Sequence, residues 1–221
     1  TIQGCIEDAL KIVAKKQVEL TCSSRTDTGV HAIQNFFHFD FESDFDEHWL
    51  YNLNAILPAD IVIQNIFLVS NDAHSRFDAD YRSYQYHIYQ YKNPFIKEIA
   101  YFYPFTLNMD LLNQAAAVLK TYTDFTSFSK RNTQVKTFNC NIIESEWVTI
   151  DQQLVYKVSA NRFLRGMVRA LVATMLRVGR GQISIEELRK IIESKDNTLA
   201  KFDAPGHGLF LVNVRYPYLE P

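Results

Sequence analysis

Apolar residues recur along the chain with two different periods, and the period indicates which element each segment forms. Spacings of three and four residues are typical of helices, whereas alternation in steps of two is typical of strands. The predicted helices lie around Ile6, Ala9, Leu10 and Val13, around Leu50, Leu53 and Ile56, and at 109–120, 163–178 and from 184 onward. The predicted strands lie at 18–21, around Phe37 and Phe39, and at 60–69, 82–91, 142–150, 154–160 and 209–216.

Residues at the ends of these segments support the assignments. Thr1 and Asn108 can each cap a helix, and Ser184 with Glu187 has the spacing of a capping box. The two residues at 151–152 stand between the strands of a predicted hairpin. Helices and strands interleave, and several strand pairs are expected to be antiparallel, so the predicted fold class is α+β.

The composition is that of an ordinary folded protein. Of 221 residues, 47% are hydrophobic and 22% are charged, which excludes a disordered or fibrous chain. No apolar run reaches the roughly 18 residues of a membrane span, so we expect no membrane-spanning segment. The three cysteines (Cys5, Cys22 and Cys140) are far apart, which favours reduced thiols in a cytoplasmic protein over disulfides or a zinc site.

Charge is nearly balanced over the chain but unevenly distributed along it. The formal net charge of −2 argues against a general nucleic-acid coat and is compatible with a local basic groove. Lys130, Arg131 and Lys136 add positive charge to a polar loop that follows two phenylalanines, Phe125 and Phe128. A basic surface is therefore expected in the second half of the sequence.

The predicted helix at 163–178 carries a run of arginines. Residues 161–181 contain no acidic side chain. On a helical wheel one face carries Arg162, Arg165, Arg169, Arg177 and Arg180, opposite an apolar face. Solvated helix faces usually interleave acidic with basic residues, so this pattern favours a phosphate-binding face over a plain solvated one.

The polar segment 23–32 is the candidate for chemistry. It holds Asp27, preceded two residues earlier by Arg25, and Gly29 permits a tight turn. Spacing alone favours an ordinary turn around Asp27, and a single histidine such as His31 is more often packed than catalytic. No second histidine or cysteine stands at ligand spacing, so no metal site is predicted.

These residues nevertheless resemble the signature of a known family. Residues 25–32 read Arg-Thr-Asp-Thr-Gly-Val-His-Ala, which resembles the signature of the tRNA pseudouridine synthase A family. Further matching blocks follow in the family's order: Gln3-Gly4, His74-x-Arg76-Phe77, Arg82-x-Tyr84-x-Tyr86, Asp124 to Phe128, Asn161-x-Phe163 to Arg169, and Gly208-Leu209-x-Leu211. The resemblance covers essentially the whole chain.

The resemblance implies a fold, a reaction and partners. The implied fold is a mixed, largely antiparallel sheet with helices packed on one side. The implied reaction converts uridine to pseudouridine in the anticodon stem-loop region of tRNA, without cofactor or metal. The implied partners are tRNA and a second copy of the chain in a homodimer, and the implied location is the cytoplasm.

The resemblance also implies roles for individual residues. Asp27 matches the catalytic aspartate, which attacks the ribose or the base or abstracts a ribose proton, and Arg169 matches the arginine that pairs with it. Tyr84 matches a catalytic tyrosine that stacks on the flipped base and is a candidate to take its C5 proton, and Leu209 matches an apolar wall of the uracil pocket. Arg25 matches the arginine that fills the gap left by the flipped nucleotide, and Arg76, which lies in a matching block, is also assigned to substrate binding. Arg165 and Arg177 are assigned to substrate binding because they lie on the predicted basic helix face.

The sequence also suggests a division of the chain into two halves. Residues 1–100 form an α+β half that carries the aspartate loop, and residues 101–221 form an α+β half that carries the arginine helix. The family pattern has a strand ahead of the segment that matches residues 1–10, so we expect this N-terminal strand to be missing.

Two alternatives compete with an active synthase. One is an RNA-binding protein without catalysis, or an inactive truncated form of the same fold, which would have no need of Asp27, Tyr84 and Arg169 together. The other is a carboxylate-based hydrolase, which would need a second acid or a metal beside Asp27. The three matching residues favour the synthase.

Overall fold

The structure of the chain is a computed structural model that describes residues 1–42, 46, 48–131 and 135–219. The helices and strands are, in chain order, α1 Ile2–Ala14, β1 Thr21–Cys22, β2 His31–Ala32, β3 Phe37–His38, α2 Trp49–Ile56, β4 Tyr81–Tyr89, β5 Tyr101–Phe102, α3 Met109–Leu119, β6 Ile142–Ile150, β7 Gln153–Ala160, α4 Met167–Gly179, α5 Ile185–Glu193 and β8 Leu209–Arg215. Two short 3-10 turns lie at Thr126–Phe128 and Gly206–Gly208.

The chain packs into two compact units. The first comprises Thr1–Arg25 and Phe36–Asp78, and the second comprises Thr26–Asn35 and Ala79–Pro221. These units describe packing, whereas the predicted halves at 1–100 and 101–221 are continuous stretches of chain, and that division stays a prediction. No helix among the described residues is long and apolar enough to cross a bilayer.

The first unit is built on α1 and α2. The hydroxyl of Thr1 accepts a hydrogen bond from the Gly4 amide and caps α1, as predicted. Leu10 of α1 and Leu53 of α2 are almost completely buried in a shared core. Beside these helices β1 pairs antiparallel with β3, so the strand predicted at 18–21 is limited to its last residue and Cys22.

The prediction of a strand at 60–69 is wrong. These residues form neither helix nor strand. The side chain of Asn54 takes the place of a neighbouring strand, because its amide nitrogen donates to the Ile63 carbonyl at 2.9 Å and its oxygen accepts from the Ile63 amide at 2.8 Å. The apolar side chains of Ile61, Ile63 and Ile66 pack against the helix core instead, which explains the hydrophobic pattern.

The second unit contains the main sheet. The strands lie in the order β2-β8-β4-β7-β6, and β5 also pairs with β4. The β8-β4, β4-β7 and β7-β6 pairs are antiparallel, while β2-β8 and β4-β5 are parallel. The sheet is therefore mixed and largely antiparallel, as predicted.

One face of this sheet is buried beneath helices. Along β4 every second residue from Arg82 to Ile88 is buried, which matches the predicted period of two. Helix α3 packs on β6, where the Asn113 side chain bonds both the amide and the carbonyl of Trp147. Helices α4 and α5 pack on α3 in turn. The predicted α+β arrangement, with helices on one side of the sheet, is confirmed.

The predicted hairpin turn and helix caps, which depend only on residues close in sequence, are confirmed. Asp151 and Gln152 have φ values of 46° and 64°, which a two-residue hairpin turn of the primed type requires. Asn108 caps α3, and both reciprocal hydrogen bonds of the capping box at the start of α5 are present.

The helix predicted at 163–178 begins four residues later than expected, at Met167. Gly166 has a φ of 75°, a left-handed conformation that ends any helix reaching it from the preceding residues. Arg162 and Arg165 therefore lie before α4, which retains Arg169 and Arg177. The prediction that five arginines share one face of a single helix is therefore wrong.

Candidate active site around Asp27

Asp27 lies at the start of a tight turn in the second unit. Its carbonyl oxygen accepts a hydrogen bond from the Val30 amide at 3.1 Å. Gly29, the third residue of this turn, has a φ of 79°, which a type II turn requires at that position. The glycine predicted to permit a tight turn does so, and the side chain of Asp27 is presented by a short, restrained loop.

The strand that follows anchors this loop to the sheet. His31 of β2 pairs in parallel register with Phe210 of β8, and the two rings stack at 4.6 Å between centroids. The Nε2 atom of His31 lies 3.1 Å from the Glu98 carbonyl and donates to it. His31 is thus a packed residue, as predicted from the sequence, and it fixes one end of the Asp27 loop.

The Asp27 carboxylate is bound by two cations. Its Oδ2 atom lies 3.0 Å from Nη1 of Arg169 and 3.0 Å from Nζ of Lys130. Burial alone would raise the pKa of Asp27, but hydrogen bonds and charges from Lys130 and Arg169 outweigh it, and the pKa is lowered. The carboxylate is therefore ionised at neutral pH.

The Arg169 guanidinium is fixed by a second acceptor. Its Nε donates to the Ala204 carbonyl at 2.6 Å, while the next carbonyl, that of Pro205, accepts from the Tyr86 hydroxyl at 2.8 Å. The segment ahead of β8 is thus held from both α4 and β4. With Asp27 at one edge and Ala204 at another, the guanidinium has little freedom to turn.

Gly206 allows this segment to approach the Asp27 loop. A Cβ atom at Gly206 would overlap the carbonyl oxygen of Thr28, which is backbone and cannot move independently. Gly208 is similarly confined, because a Cβ there would come within 3.0 Å of the His87 carbonyl and the Tyr86 ring. The two glycines let β8 lie close to the candidate site.

Tyr84 and Leu209 lie on the buried face of the same sheet. Tyr84 of β4 is opposite Leu211 of β8, and Leu209 is opposite Tyr86. The ring of Tyr84 contacts that of Phe163 edge-to-face, with centroids 5.0 Å apart. Both predicted residues are therefore in the sheet that supports the Asp27 loop, and both are mostly buried.

The other four predicted arginines are distributed more widely. Arg165 is exposed on the turn before α4, and Arg177 is half-buried eight residues beyond Arg169, roughly 12 Å along the helix. Arg25 and Arg76 are exposed and belong to the first unit. The structure thus joins Asp27 directly to Arg169, whereas the four substrate-binding assignments stay predictions.

Lys130 is the site residue that sequence analysis missed. In the sequence it is one of three basic residues in a polar loop after Phe125 and Phe128, both of which are completely buried in the structure. The aromatic pair anchors the chain two residues before Lys130 and so could have indicated that this lysine is fixed. Nothing in the sequence indicates that its partner lies 103 positions away.

The cluster presents one ionised carboxylate beside two positive charges. Such a group can act as a nucleophile or as a base, and the cations keep it charged in a partly water-excluded position. Among the described residues no group of three or more His, Cys, Asp or Glu side chains could hold a metal ion.

Comparison with known proteins supports the family indicated by the sequence motifs. Residues 115–217, which include Arg169 and Leu209 but not Asp27, match the tRNA pseudouridine synthase family. Two relatives, each named tRNA pseudouridine synthase A, are from Parabacteroides distasonis (44% identical) and Bacteroides fragilis (45% identical), and each alignment covers 98% of this chain and 87% of the relative.

A more distant relative extends the match beyond that group of bacteria. The protein of the same name from Staphylococcus aureus is 38% identical, over 97% of this chain and 81% of its own length. Identity of this extent over nearly the whole chain includes both compact units. The chain belongs to the tRNA pseudouridine synthase A family.

Proposed function

We propose that this chain is an enzyme that isomerises uridine to pseudouridine in tRNA, with Asp27 as the catalytic carboxylate. The observation that carries the proposal is the ionised Asp27 side chain, held by Arg169 and Lys130 at the start of a restrained turn. Family membership and the printed names of the relatives support tRNA as the substrate.

The reaction exchanges one bond for another within the same nucleotide. The bond from N1 of uracil to the ribose breaks, the base turns, and a bond from C5 replaces it. C5 then gives up its hydrogen as a proton, and N1 takes up a proton, so the overall composition does not change. A stacked uridine cannot do this in place, so the nucleotide must first be extruded from the RNA. Asp27 serves either route open to this chemistry, as a nucleophile toward ribose or base or as a base toward a ribose proton.

The electrostatics of Asp27 suit either role. Because its pKa is lowered, the reactive carboxylate persists at pH values where an ordinary aspartate begins to take up a proton. Activity that depends on the carboxylate is therefore retained through mildly acid pH and is lost as pH falls through the lowered pKa. The arginine and lysine also balance its charge in a partly buried position.

The remaining residues complete the proposal. Tyr84 stacks on the extruded base, and Leu209 forms an apolar wall of the uracil pocket, which suits two mostly buried side chains on one sheet face. Arg25 fills the gap left by the base. Arg76, Arg165 and Arg177 contact phosphates and contribute little sequence specificity.

The proposal also covers which uridines are modified, where the enzyme is located and whether it forms a dimer. We place the modified uridines in the anticodon stem-loop region, and the enzyme in the cytoplasm as a homodimer. Mapping pseudouridine along tRNA after reaction with the purified protein tests the first point. Sedimentation of the purified chain, with and without tRNA, tests the dimer.

The decisive experiment measures tritium release from tRNA labelled at C5 of uridine. We expect release with the unaltered chain and none with Asp27→Asn, while tRNA affinity stays within a few-fold. Asp80→Asn is the matched control, because Asp80 also pairs with an arginine, Arg215, but on an exposed surface. It should retain the full rate.

Two results would contradict the proposal in different ways. Release that continues with Asp27→Asn would remove Asp27 from catalysis. Tight tRNA binding without release from the unaltered chain, for every tRNA tried, would instead identify an RNA-binding protein without this activity.

A further inference from the structure

The two cations beside Asp27 bind the same oxygen. Nζ of Lys130 and Nη1 of Arg169 both donate to Oδ2, each at 3.0 Å. Among the described residues, Oδ1 of Asp27 has no hydrogen-bond partner. The carboxylate is thus asymmetric, with one oxygen held from two directions and the other available.

Lys130 is held in place more firmly than a surface lysine. Asn197 binds the residues on both sides of it: its amide nitrogen donates to the Ser129 carbonyl at 3.1 Å, and its oxygen accepts from Nε of Arg131 at 3.0 Å. The amide of Lys130 itself donates to the Arg165 carbonyl at 3.0 Å. The main chain at Lys130 is therefore fixed by contacts with two distant segments.

The side chain of Lys130 packs along Gly166. A Cβ atom at Gly166 would come within 3.1–3.2 Å of three carbons of the lysine stem, so only glycine leaves this path open without displacement. Gly166 is also the N-cap of α4, three residues before Arg169. The same turn therefore accommodates the lysine and begins the helix that carries the arginine.

This arrangement differs from that of an ordinary exposed ion pair. An exposed pair contributes little because two long side chains must be ordered for a screened attraction. Here the lysine side chain is one-third exposed and Asp27 only 23% exposed, and packing on Gly166 already restricts the stem. Contacts that order a side chain at a reactive group are typical of positioning residues.

We infer that Lys130 is a positioning residue for the reaction: together with Arg169 it fixes Oδ2 of Asp27, so that Oδ1 is the oxygen that reacts. The inference rests on the proposed catalytic role of Asp27. It applies equally to attack and to proton abstraction, since either needs one oxygen pointed at the substrate.

Removing Lys130 should affect the chemical step more than tRNA binding. Arg169 alone still keeps Asp27 charged near neutral pH, but a carboxylate held from one direction can turn about its last bond. Fewer of the bound complexes then have an oxygen aligned for reaction. The pKa of Asp27 should also rise toward its usual range, because one of its two stabilising cations is removed.

The test compares Lys130→Met and Lys130→Arg under single-turnover conditions with saturating enzyme. Lys130→Met should slow pseudouridine formation by about tenfold or more. The dissociation constant for tRNA should change by about twofold at most. Lys130→Arg keeps the charge and a donor, and should recover most of the rate.

Lys136→Met is the matched control for charge. Lys136 is exposed in the same loop, so its replacement removes one positive charge from the segment and leaves the hydrogen bonds of Asp27 intact. It should leave the single-turnover rate unchanged and affect only tRNA affinity. An equal loss of rate in both methionine variants would overturn the inference, since general charge would then explain it.

A second variant tests the positioning contacts without touching the lysine. Asn197→Ala should slow the reaction less than Lys130→Met does, and in the same step. Combined with Lys130→Met it should add almost nothing, because both changes remove one interaction. Full additivity would show that Asn197 acts elsewhere and would contradict the proposed positioning of Lys130.

The pH dependence separates this inference from the proposed function. In Lys130→Met the acid side of the rate profile should move to higher pH, and carbon NMR of the Asp27 carboxyl should show a raised pKa. A wild-type rate and profile in Lys130→Met, while Asp27→Asn is inactive, would overturn only the inference. Activity in Asp27→Asn would overturn the proposed function itself.

Discussion

Arginines lie at both ends of α4, but their surroundings differ. At the N-terminal end, Arg169 is 17% exposed and bonds both Asp27 and the Ala204 carbonyl. At the C-terminal end, Arg177 is half-buried, and Arg180 is exposed with its guanidinium 3.8 Å from the centre of the Phe105 ring. The sequence pattern alone treats all three as one basic face.

Helix electrostatics explain why the ends differ. The carbonyls at a helix C-terminus attract cations, so Arg177 and Arg180 are stabilised there without any ligand. The same field opposes a cation in the first turn, where Arg169 is the third residue. Arg169 therefore needs the Asp27 carboxylate, and a residue placed against the preference of its own helix is the better indicator of function.

The largest expected effect follows replacement of Arg169. Arg169→Met should slow tritium release by about 100- to 1,000-fold, because Asp27 loses a charged donor and the 204–208 segment loses its bond to α4. Arg177→Met, at the other end of the same helix, should retain the rate at saturating tRNA within about twofold. Equal decreases in rate at the two ends would remove the distinction between them.

A smaller effect is expected from Gly206→Ala. The added methyl group must displace the Thr28 carbonyl and with it the Asp27 loop, which should slow the single-turnover rate by about tenfold. Gly181→Ala, just beyond α4, is the control: its φ of 70° is unfavourable for alanine, but the space around it is open. It should lower stability by about 1 kcal/mol in denaturant unfolding and leave the rate unchanged.

The smallest effect is expected from charge reversal away from Asp27. Arg177→Glu and Arg165→Glu should each weaken tRNA binding several-fold and reduce the slope of log affinity against log salt by about 1 for each phosphate that is no longer neutralised. The chemical step at saturating tRNA should stay unchanged. Unaltered slopes in both variants would mean that these arginines do not bind the RNA and that Arg177 only stabilises the end of α4.

Much of the fold follows from short-range signals. The alternation along β4, the hairpin turn at Asp151 and Gln152, and the caps at Thr1, Asn108 and Ser184 all depend on residues close in sequence. In each case one conformation satisfies both the hydrophobic pattern and the local hydrogen bonds. Agreement of this kind is what makes an element predictable.

The failures have equally specific causes. At 60–69 the pattern is apolar enough for a strand, but no strand forms, and at Ile63 the Asn54 side chain binds both the backbone amide and the carbonyl in place of a strand partner. Before α4 the apolar spacing extends back through Leu164, but the φ of 75° at Gly166 prevents the helix from beginning before Met167. The period of a hydrophobic pattern shows neither that a side chain will bind the backbone in place of a strand nor that a residue will adopt a positive φ.

The residues of the candidate site also differ in whether the sequence could predict them. The motifs that carry Asp27 and Arg169 resemble those of a family in which the two residues pair, and in the structure Nη1 of Arg169 lies 3.0 Å from Oδ2 of Asp27. Lys130 belongs to none of those motifs, and its position depends on Asn197, Arg165 and Gly166, which are distant in sequence. Only the folded chain brings these residues together.

The short strand β2 also constrains the order in which the protein can assemble. It joins β8 near the end of the chain, and the adjacent bond from the Val214 amide to the Gln34 side chain spans 180 positions. During synthesis from the N-terminus, the Asp27 loop must therefore wait without its anchor until β8 has been made. A nascent chain can form the helices of its first unit long before β8 is available to anchor the Asp27 loop, so the loop that the proposed reaction depends on is among the last parts to be fixed.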